Sequence, residues 1–122
     1  MKSVSVLFTV GALAGAVTLF STLAPGSAHG EVDKKILRTW KAKCASCHGE
    51  DGKGGTEQGR KMGVRDMTAA DFKETDAKMK DAIANGIKQT KNGKTQEMEP
   101  YKEKLKPEDI DALVTYVKSL KK

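Results

Sequence analysis

Cysteine is almost missing from this 122-residue chain, which has only Cys44 and Cys47. A multi-bridge disulfide scaffold is therefore excluded. Aromatic residues are scarce as well: one Trp, two Tyr and three Phe. Two of the Phe, Phe8 and Phe20, fall in the first thirty residues, which leaves Trp40, Phe72, Tyr101 and Tyr116 for the rest. Small domains with so thin a core usually add disulfides, a metal or a bound group, and the first of these is already gone. Histidine occurs only at His29 and His48. A structural zinc site needs four ligands, usually from two paired clusters, so the chain is short of donors for one. No segment alternates apolar and polar residues over strand length, which argues against a β-domain. The net charge is +6, but the lysines are spread out, with no dense basic block or interleaved aromatics. Nucleic acid is not expected as a partner.

Long apolar runs are also few, and the one present is N-terminal. Met1-Lys2 precedes an uncharged stretch from Val4 to Leu23, followed by Pro25-Gly26-Ser27-Ala28-His29-Gly30 before the first acid, Glu31. A positive start, an apolar middle and small residues at the end make a secretory signal peptide. Residues 1–30 are expected to be removed by cleavage after Ala28 or Gly30, leaving a domain of residues 31–122. About 20 apolar residues can also span a bilayer. Gly11, Gly15 and several Ser and Thr dilute this run, so cleavage is favoured over a retained anchor, and no stable membrane insertion is expected afterwards. Either reading puts residues 31–122 outside the cytoplasm.

Beyond residue 30 the period is helical. Val32, Ile36, Trp40 and Cys44 recur at every fourth position among lysines and an arginine, the spacing of one apolar helix face. Glycines at 49, 52, 54, 55, 59 and 63 then imply a long loop. Thr68 with Asp71 resembles a capping box for a short helix around Phe72. Thr75 can cap a further helix that carries Met79, Ala82 and Ile83 and stops at Asn85-Gly86. The polar stretch 88–97, with its Asn92-Gly93 turn pair, reads as an exposed loop. Pro107, Glu108 and Asp109 suit the start of a last helix with its stripe at Ile110, Leu113, Val114, Val117 and Leu120. An all-α domain of about four to five short helices follows.

The cysteines belong to the stretch CASCHGEDGKG, residues 44–54. On a helix, positions i, i+3 and i+4 share a face, so Cys44, Cys47 and His48 present two sulfurs and an imidazole to one object. Cys-x-x-Cys-His is the attachment pattern of c-type haem, with two thioethers to the porphyrin and an axial nitrogen to its iron. A thioredoxin-like pair would follow a strand, and none is visible here. A plain Cys44–Cys47 disulfide beside an uninvolved His48 is the remaining alternative.

Trp40 with CASCHGEDGKG, and the ending MEPYKEKLKPEDIDALVTYVKSL, resemble the small class I cytochromes c of bacteria. The resemblance covers most of Asp33 to Leu120 and is weak between Gly55 and Gly86. It implies one covalent haem c on Cys44 and Cys47, with His48 and Met98 as axial iron ligands and Met62 or Met67 as lower-ranked alternatives to Met98. Met79 lies on a predicted apolar stripe, where packing is the commoner fate, and His29 could ligate only if it survived processing. With both axial positions filled, the resemblance implies a periplasmic single-electron carrier and not an enzyme; a monomer is expected, and the chain's positive charge favours redox partners with acidic docking surfaces. The competing reading is a haem c enzyme or oxidoreductase subunit with an open or displaceable axial position.

Three departures from the family pattern stand out. Ile36 occupies a position where a glycine often lets the first and last helices cross closely. The proline whose carbonyl usually accepts the imidazole's second N–H is missing, and Arg65 stands in its likeliest place, so a carbonyl near Val64 or Arg65 is expected to serve. Glu99 separates Met98 from Pro100, where the family has Met followed at once by Pro.

Overall fold

A computed structural model describes residues 33–122 together with Gly11. The signal-peptide expectation for residues 1–30, and His29 with it, lies outside the described residues. Among the described residues, five helices and one hairpin follow in order: α1 Lys34–Lys43, α2 Ala45–His48, α3 Glu57–Met62, α4 Asp76–Asn85, β1 Ile87–Lys91, β2 Lys94–Met98 and α5 Pro107–Ser119. Among the described residues, no helix is long and apolar enough to cross a membrane.

The helices begin and end where local chemistry dictates. The Asp33 carboxylate accepts the Lys35 N–H, and the Thr75 hydroxyl accepts the Lys78 N–H, each satisfying one of the donors a helix start leaves open. The chain leaves α4 through Gly86 at φ +74, a backbone conformation that favours glycine. Pro107 sits in the first turn of α5, with Glu108 and Asp109 beside it. α1 buries Ile36 and Trp40, and α5 buries Ile110, Leu113, Val114 and Val117. The two helices pack together, with Met67 and Phe72 completing the core cluster. Leu113 and Val114 are each only 1% exposed, and burying a side chain of that kind contributes about 1.5–3 kcal/mol. Ile36 is buried in that same cluster.

Three expectations are corrected here. Residues 88–97 are not a loop but belong to an antiparallel hairpin, with Ile87 opposite Met98 and Lys91 opposite Lys94. Asn92 and Gly93 both take positive φ at its tip, the geometry that matches strand twist in a two-residue turn. A short helix, α3, interrupts the glycine region, capped by the Thr56 hydroxyl on the Gly59 N–H at 2.9 Å. No helix forms around Phe72. Asp66 takes both the N–H and the hydroxyl of Thr68, at 2.8 and 2.6 Å, so Thr68 closes a turn instead of opening a helix.

Lys35 and the nearly buried Asp109 form an ion pair at 2.5 Å that joins α1 to the start of α5. Lys35 holds the Asp109 carboxyl below its ordinary 3.8, chiefly through that hydrogen bond. Glu99, held by Lys104 and Tyr101, and Asp66, held by Thr68, are shifted the same way. A carboxyl that is more acidic folded than unfolded stabilises fully above the unfolded value and loses that stabilisation as pH falls through the folded one. Melting temperature is therefore expected to hold near neutrality and fall below about pH 4. In Asp109→Asn the fall should be shallower, with a lower starting point. Parallel melting curves for the two proteins between pH 6 and pH 3 would contradict this assignment.

Candidate haem site

The cysteine motif sits where α1 stops and the chain tightens. Cys44 N–H still bonds the Trp40 carbonyl at 2.8 Å, as in a continuing helix. Cys47 N–H and His48 N–H then both go to the Cys44 carbonyl, at 3.2 and 2.9 Å. That tight turn brings Cys44, Cys47 and His48 together on α2 and its N-cap. Cys44 is buried, Cys47 and His48 are half-buried, and both thiols are free. The disulfide alternative is not the arrangement found.

The glycine loop closes over the end of α2. His48 carbonyl accepts the Gly54 N–H at 2.7 Å, Gly49 carbonyl accepts the Gly52 N–H at 3.2 Å, and Cys47 carbonyl accepts the Thr56 hydroxyl at 3.2 Å. Three carbonyls that a four-residue helix would leave open are thus satisfied. A side chain on Gly59 would collide with the carbonyl oxygens of Cys47 and Gly54, so glycine is needed there for close approach.

The His48 ring lies 5.9 Å from Trp40, which meets Tyr116 edge-on at 5.3 Å. Burial pushes the imidazole pKa below 6.5, so the ring is neutral near pH 7 and its lone pair is available to a metal. Burial also pushes the Cys44 thiol up to about 11, against the opposing Lys43 charge. Among the described residues, His48 Nδ1 and Trp40 Nε1 are the buried side-chain polar atoms without a hydrogen-bond partner. The expected bond from the imidazole to a carbonyl near Val64 or Arg65 is thus not made. The Val64 carbonyl packs instead against Gly54, 2.8 Å from where a Cβ would stand. An unpaired buried donor or acceptor costs about 1–3 kcal/mol. A half-buried imidazole whose Nδ1 has no hydrogen-bond partner, beside two free thiols on one helical turn, fits a haem tethered through both cysteines.

The four candidate methionines are placed differently. Met67 is buried in the core with Ile36, Trp40 and Cys44. Met79, on α4, packs against that core. Met67 and Met79 line one cavity of about 270 Å³ with Phe72 and Val117. That space takes in none of Cys44, Cys47, His48 or Met98, and it falls below the roughly 300–1,000 Å³ typical of ligand pockets. Met62 ends α3, half-buried, its sulfur 3.1 Å from Gln58 Nε2. Met98 is the last residue of β2 and half-buried.

Contacts on both sides fix the strand that carries Met98. Gln96 Nε2 donates to the Gly63 carbonyl and Lys94 Nζ to the Arg60 carbonyl, both at 2.8 Å. β2 thereby supplies donors to the C-terminal end of α3. After Met98, the Tyr101 N–H bonds the Ile83 carbonyl at 2.9 Å, and the Tyr101 hydroxyl reaches the Lys43 carbonyl at 3.0 Å. From the sequence Tyr101 is only one of four aromatics beyond residue 30, and the Thr56 clamp is not foreseen. A threonine followed by Glu57 was the available signal for a helix start there.

Known proteins resemble this chain over most of its described length. The family model for cytochrome c matches residues 34–121. The solved structure of the KustC0563 c-type cytochrome is 33% identical, with a TM-score of 0.58, covering 70% of this chain and 96% of that one. A point mutant of the same cytochrome, also solved, gives 32% identity and a TM-score of 0.57, covering 70% of this chain and 98% of that one. No curated protein sequence matches. A haem-attachment motif on a helical turn, a match over most of the chain and a like-folded c-type cytochrome together make this chain a member of the cytochrome c family, a haem c electron-transfer protein.

Proposed function

We propose that this protein is a periplasmic carrier of single electrons whose haem c is tethered by Cys44 and Cys47 and ligated axially by His48 and Met98. The observation that carries this reading is the gathering of two free thiols and the neutral imidazole of His48, its Nδ1 unpaired, on one helical turn. When bound, the haem supplies a reversible one-electron couple. The chain's own residues do the rest. Trp40, itself met edge-on by Tyr116, stands beside the imidazole, the loop through Gly54 and Thr56 fixes α2, and the β1–β2 hairpin carries Met98 on a paired strand instead of a free loop. An axial thioether favours the reduced state and raises the potential. With both axial positions taken by side chains, no site is left for a substrate. Residues 1–30 direct export and are removed, and residues 31–122 act as a monomeric domain.

Redox partners are expected to present acidic faces. α3 and the hairpin tip bring the exposed Arg60, Lys61, Lys91 and Lys94 together, and Lys94 Nζ lies on the Arg60 carbonyl. Between Lys88 and Gln96 the hairpin carries no acid. Charges at such a surface raise association rates and are screened within about 10 Å at 0.1 M salt. Stopped-flow electron transfer to an acidic redox protein should therefore slow as ionic strength rises. Lys91→Glu with Lys94→Glu should slow it further and flatten the salt dependence. Rates unaffected by salt, in wild type and variant alike, would remove the steering claim while leaving the haem assignment intact.

A further inference from the structure

The tight turn at Cys44 leaves one carbonyl behind. Because Cys47 N–H and His48 N–H both bond the Cys44 carbonyl, the Lys43 carbonyl has no helical partner. The Tyr101 hydroxyl fills that gap at 3.0 Å, from 58 residues away. Tyr101 is only 5% exposed, and its backbone is pinned separately. Its N–H bonds the Ile83 carbonyl at 2.9 Å, and the Lys102 N–H bonds the Ala84 carbonyl at 3.1 Å. On the other side of Met98, Ile87 pairs with it across the hairpin. Only Glu99 and Pro100 separate Met98 from Tyr101.

We propose that Tyr101 is a positioning residue for axial ligation, its hydroxyl tying the segment that carries Met98 to the backbone immediately before Cys44. This rests on the reading of Met98 as the iron's sulfur ligand. Iron holds a thioether weakly unless the chain restrains it, so a link between the two ligand-bearing segments converts loose ligation into firm ligation. Burial and the neighbouring Glu99 push the phenol above its ordinary 10.0, so it remains a donor at physiological pH. Glu99 Oε1, 2.8 Å from the same hydroxyl, competes for its one proton, and Lys104, 2.5 Å from the other carboxylate oxygen, weakens that competition.

The test is imidazole binding to the ferric holoprotein, because exogenous imidazole competes with the axial thioether. Tyr101→Phe keeps the buried ring and removes one hydrogen bond worth about 0.5–1.5 kcal/mol. Imidazole should then bind roughly two- to twelvefold more tightly, with a weaker ferric sulfur-to-iron absorption band. Asp109→Asn serves as a control that lowers stability at the α1–α5 junction, and it should leave imidazole affinity unchanged. Met98→Ala should abolish the band. Persistence of the band in Met98→Ala would overturn the ligand reading and this proposal with it. Loss of the band there, with Tyr101→Phe binding imidazole as wild type does, would overturn the positioning role alone. Equal tightening in Asp109→Asn would do the same, by showing that any loss of stability suffices.

Discussion

Replacing Cys44 and Cys47 together with alanine is expected to yield exported protein with no haem that survives extraction into acidified acetone, and with no cooperative melting transition at 37 °C or above. The reason lies in the core. Among the 90 consecutively described residues, only ten apolar ones are buried, and Cys44 is one of them. Domains of this size are stable by about 5–15 kcal/mol at most, as a small difference between large terms. A large apolar group tethered on the inner face of α1 and α2 would add the buried surface that four aromatics cannot. Either single variant, Cys44→Ala or Cys47→Ala, keeps one thioether and should retain colour with a lowered melting temperature. Acetone-resistant haem in the double variant, or a melting curve like that of wild type, would contradict the role given to the two thiols.

Met98→Ala carries the second large effect. The ferric sulfur-to-iron band should disappear, and the ferrous protein should bind carbon monoxide readily. The reduction potential should fall by a sizeable share of the roughly 0.8 V that axial ligands command in haem proteins. The geometry argues for Met98 because its competitors are otherwise engaged. Met67 is in the core against Trp40 and Cys44, Met79 lines the cavity beside Phe72 and Val117, and the Met62 sulfur accepts from Gln58. Met98 alone lies on a segment linked to both α3 and the backbone before Cys44. Should the band survive in Met98→Ala and vanish in Met62→Ala or Met67→Ala, the sulfur ligand is that residue.

The parts of the fold that bury an apolar face were legible in the sequence. Ile36, Trp40 and Cys44 mark α1, and Ile110, Leu113, Val114 and Val117 mark α5, because a helix packed on one side must repeat its apolar residues at helical spacing. The hairpin was not legible for the converse reason. Eight of its ten strand residues are fully exposed or polar at half burial, so neither face imposes an alternation. Its only sequence signal was Asn92-Gly93. α3 was hidden by Gly59, which is present because the Cys47 and Gly54 carbonyls leave no room for a side chain, not because the chain is a loop there. Thr68 misled because Asp66, two residues earlier, captures its hydroxyl. At the site, the residue types and spacing of Cys44, Cys47 and His48 could be read directly. The Tyr101–Lys43 bond could not, because it depends on which carbonyl the turn at Cys44 leaves open.

The most direct measurement is carbon monoxide binding to the reduced, unmutated holoprotein, read alongside its ferric absorption spectrum near neutral pH. A carrier closed by His48 and Met98 should show the sulfur-to-iron band when oxidised and take up carbon monoxide negligibly when reduced. Immediate carbon monoxide binding, with no sulfur band in the oxidised spectrum, would mean an open axial position and contradict the assignment of this protein as a dedicated electron carrier.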